Sequence, residues 1–185
     1  MNIKALLILA IVAAAAYYAI AVKKINPFSN KIEDDVPFRK FDGEVTSLKE
    51  LQGENGTLFV LLSTWCPHCL TQLVNIYPIS EGLENEKVNI VAIVSGPDND
   101  TIHNWAAQHQ IPWSWKRVYW HDGLTEQLKI KKNSTPYIIL RNRNKEIVHN
   151  EPGVHSLQQM MDIIADMFET YDDYKEKFKE PVHPL

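Results

Sequence analysis

The 185 residues include only two cysteines, and both fall in one tetrapeptide, Cys66-Pro67-His68-Cys69. This scarcity excludes a disulfide-dense secreted scaffold. It also excludes a four-cysteine zinc site or a cysteine-ligated iron–sulfur cluster built by one chain. A surplus of basic residues is missing too. The formal net charge is −4, which argues against a dedicated nucleic-acid binder, so no nucleic-acid partner is expected. The chain shows no internal repeat and no low-complexity tract. With 45% hydrophobic and 23% charged residues, it is not a wholly disordered chain.

The apolar residues are concentrated at the N-terminus. Residues 1–22 hold one charge, Lys4, and without them the remainder is still about 39% hydrophobic, enough for a packed core. The uninterrupted apolar run covers residues 5–22 and is followed by Lys23-Lys24. Its length just suffices for a single-pass helix, which needs about 20 residues. Ala19-Ile20-Ala21 also fits a signal-peptide cleavage site. Lys4 on one side and Lys23-Lys24 on the other give nearly balanced flanks, so orientation is inferred from segment type, since N-terminal apolar segments usually serve export. The expected placement is a domain on the extracytoplasmic or periplasmic side, anchored in the membrane through residues 5–22 or released after cleavage. Residues 23–35 read as a linker, 36–170 as one domain and 171–185 as a charged, solvated extension.

Within the domain, residues 36–41 read as a short strand turned at Asp42-Gly43, and Ser47 caps a short helix over 48–51. Residues 57–63 and 88–94 are continuous apolar runs, the pattern of strands buried on both faces. Between them, Leu70, Leu73, Val74 and Tyr77 follow a helical spacing that Pro78 is expected to kink or end. Asp98 or Asp100 caps a helix over about 101–110. A short strand over 115–120 and a short helix over 124–128 follow. Strands over 137–140 and 146–149 and a helix over 156–168 complete the pattern. A βαβ unit followed by a ββα unit predicts an α/β fold with a mixed central sheet and helices on both faces.

The chemistry lies where the first buried strand meets its helix, at Trp65-Cys66-Pro67-His68-Cys69. Two intervening residues let both sulfurs meet across one turn and close a small disulfide. The helix start offers backbone N–H groups and the positive end of its dipole to the first sulfur. That favours the thiolate, which is the reactive species, at Cys66. Cys69, one turn further in, is expected to be buried and to resolve the mixed disulfide formed by Cys66. Pro67 suits the first helical turn. An imidazole at His68 is placed to stabilise the Cys66 thiolate, and stabilising the reduced form makes a disulfide more oxidising.

In these features the chain resembles the thioredoxin superfamily, and within it the membrane-anchored TlpA/ResA-like thiol–disulfide oxidoreductases of bacteria. The resemblance spans residues 35–168. It rests on the strand-then-WCPHC junction, on Thr135-Pro136 before a strand, on the element order and on the lead-in over 35–53. It implies a thioredoxin fold, a redox-active disulfide with no organic cofactor or metal, and a cis proline at Pro136 beside the redox pair. It further implies that the backbone at Thr135 pairs with an extended substrate segment. The substrates implied are protein thiols and disulfides of exported proteins, apocytochromes of cytochrome c biogenesis among them, with a membrane electron partner. The Pro-His dipeptide is similar to that of DsbA, a strong oxidant. Thioredoxins carry a buried acid six residues before the first cysteine; here that position is Val60. The helix insertion of DsbA is missing as well, so the direction of electron flow stays open.

Two other function classes compete. Cys66 and Cys69 could join His103 and His109 in a zinc site, but 33 residues separate Cys69 from His103, against the usual 12–15. Copper delivery by proteins of this fold uses C-x-x-x-C rather than C-x-x-C. A non-catalytic binding module of the same fold would not need both cysteines. The aromatic cluster Trp113, Trp115, Tyr119 and Trp120 reads as core or as a groove wall.

Overall fold

The computed structural model describes residues 33–132 and 134–168. The apolar run at 5–22, most of the linker and the extension at 171–185 lie outside them. No helix among the described residues is long and apolar enough to cross a membrane.

The chain opens with a hairpin of β1, Pro37–Arg39, and β2, Val45–Ser47. The single strand expected over 36–41 is thus shorter and pairs with a second strand. Three residues are too few for β2 to announce itself by alternation. Helix α1, Leu48–Leu51, starts at a capping box in which Ser47 and Glu50 satisfy each other's backbone N–H groups.

Strand β3, Gly56–Ser63, is buried at every residue. Helix α2, Pro67–Asn85, continues through Pro78 instead of ending there. Pro78 and Val74, whose carbonyl loses its intrahelical partner, both lie on the exposed face, where water takes over the lost bond. Strand β4, Val88–Ser95, leads to helix α3, Asn99–Gln108, capped by the Asp98 side chain. Strand β5, Lys116–Tyr119, and helix α4, Leu124–Gln127, follow. Strands β6, Tyr137–Asn142, and β7, Ile147–Pro152, precede helix α5, Leu157–Ala165.

The strands order as β5-β4-β3-β6-β7. Strands β3, β4 and β5 run parallel, β6 pairs antiparallel with β3, and β7 pairs antiparallel with β6. Successive crossovers β3-α2-β4 and β4-α3-β5 step the same way across the sheet. With one handedness, they place both helices on one face. On that face Leu58, Val60 and Leu62 pack with Leu73 and Ile76 of α2, Ile102 of α3 and Met160 and Ile164 of α5. The other face buries Phe59, Leu61, Val91 and Ile93 against Phe38, Leu48, Leu51, Leu124 and Leu128. Helices therefore lie on both faces, but the three long ones share one. Each fully buried aliphatic or phenyl side chain contributes roughly 1.5–3 kcal/mol before the entropy of ordering it is subtracted.

Two polar ties hold the periphery. Arg141 of β6 is fully buried, and it bonds Asp34 at 2.8 Å and Gln52 at 2.9 Å. Asp34, read from sequence as linker, is thereby fastened to the sheet, and its carboxyl is held below its ordinary range by Lys145 and Arg141. On the other side, the N–H of His155 donates to Gln72 of α2 at 2.7 Å, and Asn75 donates to the His155 carbonyl at 2.9 Å. The rings of His149 and His155 meet at Nε2, 3.2 Å apart.

Replacing Asp34 by Ala leaves the Arg141 guanidinium short of its carboxylate. Because Asp34 is 34% exposed, the expected cost is on the order of 1–3 kcal/mol, below the range for a fully buried pair. Urea unfolding near neutral pH measures it, and the double variant Asp34→Ala/Arg141→Met should recover part of the loss.

The histidine pair sets a pH dependence. Burial pulls both imidazoles below their ordinary value of 6.5, and His155 adds to the effect on His149. The unfolded chain therefore binds protons that the folded chain refuses, so this contribution is intact above 6.5 and lost as pH falls through the folded values. The melting temperature should drop between about pH 7 and 5, and His149→Gln/His155→Gln should flatten that slope.

Candidate active site

Strand β3 delivers the chain to the redox pair. After Ser63, the turn at Thr64 and Trp65 brings Cys66 to the N-cap of α2 in an extended conformation, with Pro67 at the first helical position. The Cys66 N–H donates to the Ser63 carbonyl and the Cys69 N–H to the Cys66 carbonyl, each at 3.1 Å. These bonds close the first turn over the two cysteines. Both are free thiols, Cys66 half-buried and Cys69 fully buried.

Burial pushes the Cys69 thiol up to about 12, and its contact with Cys66 adds to the rise; the Ser63 backbone and the Thr135 side chain pull the other way. Val60, where thioredoxins carry an acid, packs into the same apolar core as Cys69. No carboxylate reaches the resolving thiol from that position.

The second wall of the site comes from the loop before β6. The Thr135–Pro136 bond is cis, and Pro136 is buried. The Cys66 thiol donates to the Thr135 carbonyl at 3.3 Å. The Pro136 carbonyl accepts from Gly153 at 2.8 Å, which ties the proline loop to the chain leaving β7. Residues 72 positions apart thus meet, since Ser63 and Thr135 hydroxyls lie 2.9 Å from each other.

The structure brings Cys66, Cys69, Thr135 and Pro136 together. Trp65, 66% exposed, and the exposed Pro67 and His68 form the rim around Cys66. Sequence reasoning missed the hydroxyl chain behind the pair. Ser63 Oγ lies 2.7 Å from Ser95 Oγ and 2.9 Å from Thr135 Oγ1. The only signal for it was a serine ending each of the two central strands.

Among the described residues no group of three or more His, Cys, Asp or Glu side chains is arranged to hold a metal ion. His103 is instead 2.6 Å from the Tyr119 hydroxyl, and His109 packs on Trp105. The aromatic cluster divides: Trp115 and Tyr119 are buried, Trp120 is half-buried and Trp113 is exposed.

Similarity to known proteins agrees with this architecture. Residues 29–163 match the model of the Redoxin family. No curated protein matches. Among solved structures, a thioredoxin-like protein from Aeropyrum pernix is 18% identical, with a TM-score of 0.61 over 82% of this chain and 99% of that one. A thiol:disulfide interchange protein of the thioredoxin family from Chlorobium tepidum is 13% identical, with a TM-score of 0.63 over 74% of this chain and 95% of that one. StoA from Bacillus subtilis is 17% identical, with a TM-score of 0.55 over 69% of this chain and 94% of that one. At these identities the structures share the fold, and the family match spans most of the chain. With a C-x-x-C at the start of a helix beside a cis-proline loop, the chain belongs to the Redoxin family of the thioredoxin superfamily.

Proposed function

We propose that the protein is a thiol–disulfide oxidoreductase that acts on cysteines of exported proteins through the Cys66/Cys69 dithiol–disulfide couple. The observation that carries this reading is the unequal pair itself. A half-buried Cys66 at a helix start stands 3.3 Å from the Thr135 carbonyl, one turn before a fully buried Cys69.

In the reducing direction the Cys66 thiolate attacks one sulfur of a substrate disulfide. The S–S bond breaks, a mixed disulfide forms and one substrate sulfur leaves as thiolate. Cys69 then loses its proton and attacks Cys66 Sγ, which expels the second substrate thiolate. Two electrons have passed to the substrate, and Cys66–Cys69 is a disulfide. The reverse sequence oxidises a substrate dithiol. The couple needs no organic cofactor or metal, and a membrane redox partner would reset it. Thr135 and Pro136 would align an extended substrate segment beside Cys66. The apolar run at 5–22 supports a domain held at the extracytoplasmic face of a membrane, or released from it after cleavage. Apocytochromes are one substrate class of this kind.

Cys66→Ala should abolish both insulin reduction and oxidative refolding of a reduced test protein. Cys69→Ala should trap mixed disulfides, visible on non-reducing gels. Because Cys69 holds its proton up to about 12, the resolving step should accelerate as pH rises from neutral into the alkaline range. An intact chain inactive in both assays would overturn the proposal.

His68 lies exposed on the first turn beside Cys66. His68→Ala should make the disulfide harder to reduce, read by equilibration with glutathione redox buffers. An unchanged potential would remove His68 from the site.

A further inference from the structure

A cavity of about 1000 Å³ lies between the loop after β1, helix α3 and the start of β5. None of the residues named for the redox site lines it. Its wall includes Phe41, His103, Trp113, Trp115, Lys116 and Arg117.

Two of the cations on this wall are not matched in ion pairs among the described residues. The Arg117 guanidinium lies over the Trp113 ring at 3.9 Å and over the Phe41 ring at 5.7 Å. Among the described residues neither Arg117 nor Lys116 has an ion-pair partner. Burial pulls the Arg117 pKa below its ordinary value, a sign that its charge has given up water. Trp115 is 2% exposed, and its indole N–H has no acceptor. An unpaired buried donor costs roughly 1–3 kcal/mol.

Asp42 and Glu50 on the same wall keep their charge, but they bond neutral donors of the hairpin and the α1 cap rather than Arg117 or Lys116. Glu50 accepts from Thr46 and the Ser47 N–H in the cap of α1. Asp42 accepts from the Glu44 N–H at the hairpin turn, and Lys40 is paired with Glu44. Arg117 and Lys116 are therefore the cations of this wall with no ion-pair partner among the described residues, beside the exposed ring of Trp113. Trp113, the most exposed of these rings at 85%, has no structural reason to stay uncovered.

We propose that this cavity is a binding site for a small amphipathic carboxylate, one carboxyl group on a flat apolar body. Stacking occupies the face of Arg117 and leaves its N–H edge free, and a planar carboxylate fits that edge with two parallel bonds. Lys116 adds long-range attraction at the rim. The exposed Trp113 ring covers the apolar body, and Phe41, already stacked on His103 and Tyr119, backs the site. A neutral ligand of the same shape would leave the guanidinium unanswered, so charge as well as shape is selected.

The test uses the full chain with 2-naphthoate as probe and 2-naphthalenemethanol as its neutral counterpart, followed by calorimetry. Naphthoate should bind saturably at one site per chain, and the alcohol at least about tenfold more weakly; this comparison needs no variant. Arg117→Gln and Trp113→Ala should each weaken naphthoate about tenfold. Arg117→Lys, which keeps the charge but not the fork, should fall between. No saturable binding at millimolar naphthoate, equal affinity for the alcohol, or full affinity in Arg117→Gln would each overturn the assignment.

Discussion

Strand β3 is hydrogen-bonded along both edges, to β4 on one side and β6 on the other, and is covered on both faces. Its eight residues have no freedom to shift without breaking two ladders and two cores. That constraint positions the chemistry. The chain must leave the sheet at Ser63, and within three residues it is committed to α2, whose first turn carries both sulfurs. The same register fixes the other wall, because β6 pairs with β3 from Tyr137 onward and so brings Thr135-Pro136 level with the end of β3. A rigid strand pair thus sets the distance between nucleophile and proline loop that a flexible loop could not hold.

The helix then makes the two cysteines unequal. Cys66 is the N-cap and keeps part of its surface; Cys69, three residues on, faces the sheet with Leu73 and Ile76. Two thiols of one helical turn therefore meet different surroundings. The inner one resists ionisation, and the outer one stands half-buried at the helix terminus. The division into attacking and resolving sulfur follows from which side of one helical turn each occupies.

Those features were legible because they are local or strongly periodic. The apolar runs of β3 and β4, the cap at Ser47, the C-x-x-C and its place at a strand-to-helix junction can all be read along the chain. What was not legible depends on contacts between distant segments. Strand β2 is three residues long and exists because β1 pairs with it. The passage of α2 through Pro78 depends on which face of the helix meets water. The anchoring of Asp34 needs Arg141, 107 positions away. Ser63, Ser95 and Thr135 are unremarkable singly, and they form a chain only after β3, β4 and the proline loop converge.

That hydroxyl chain bears on the absent carboxylate. An acid at the position of Val60 would accept the Cys69 proton, but it would also bury a charge in the apolar layer shared with Leu62 and Leu73, at a cost of several kcal/mol unless it were partnered. Here the polar contacts to Cys69 come from the Ser63 backbone and the Thr135 hydroxyl, both of which lower its pKa. These partners are neutral, so the core keeps its stability, but they do not cancel the desolvation that raises Cys69. The consequence is kinetic. In the proposed reaction the attack at the half-buried Cys66 would be decoupled from the second, which would wait for the Cys69 proton. In that reaction this would lengthen the life of a mixed disulfide at Cys66, beside the loop of Thr135 and Pro136.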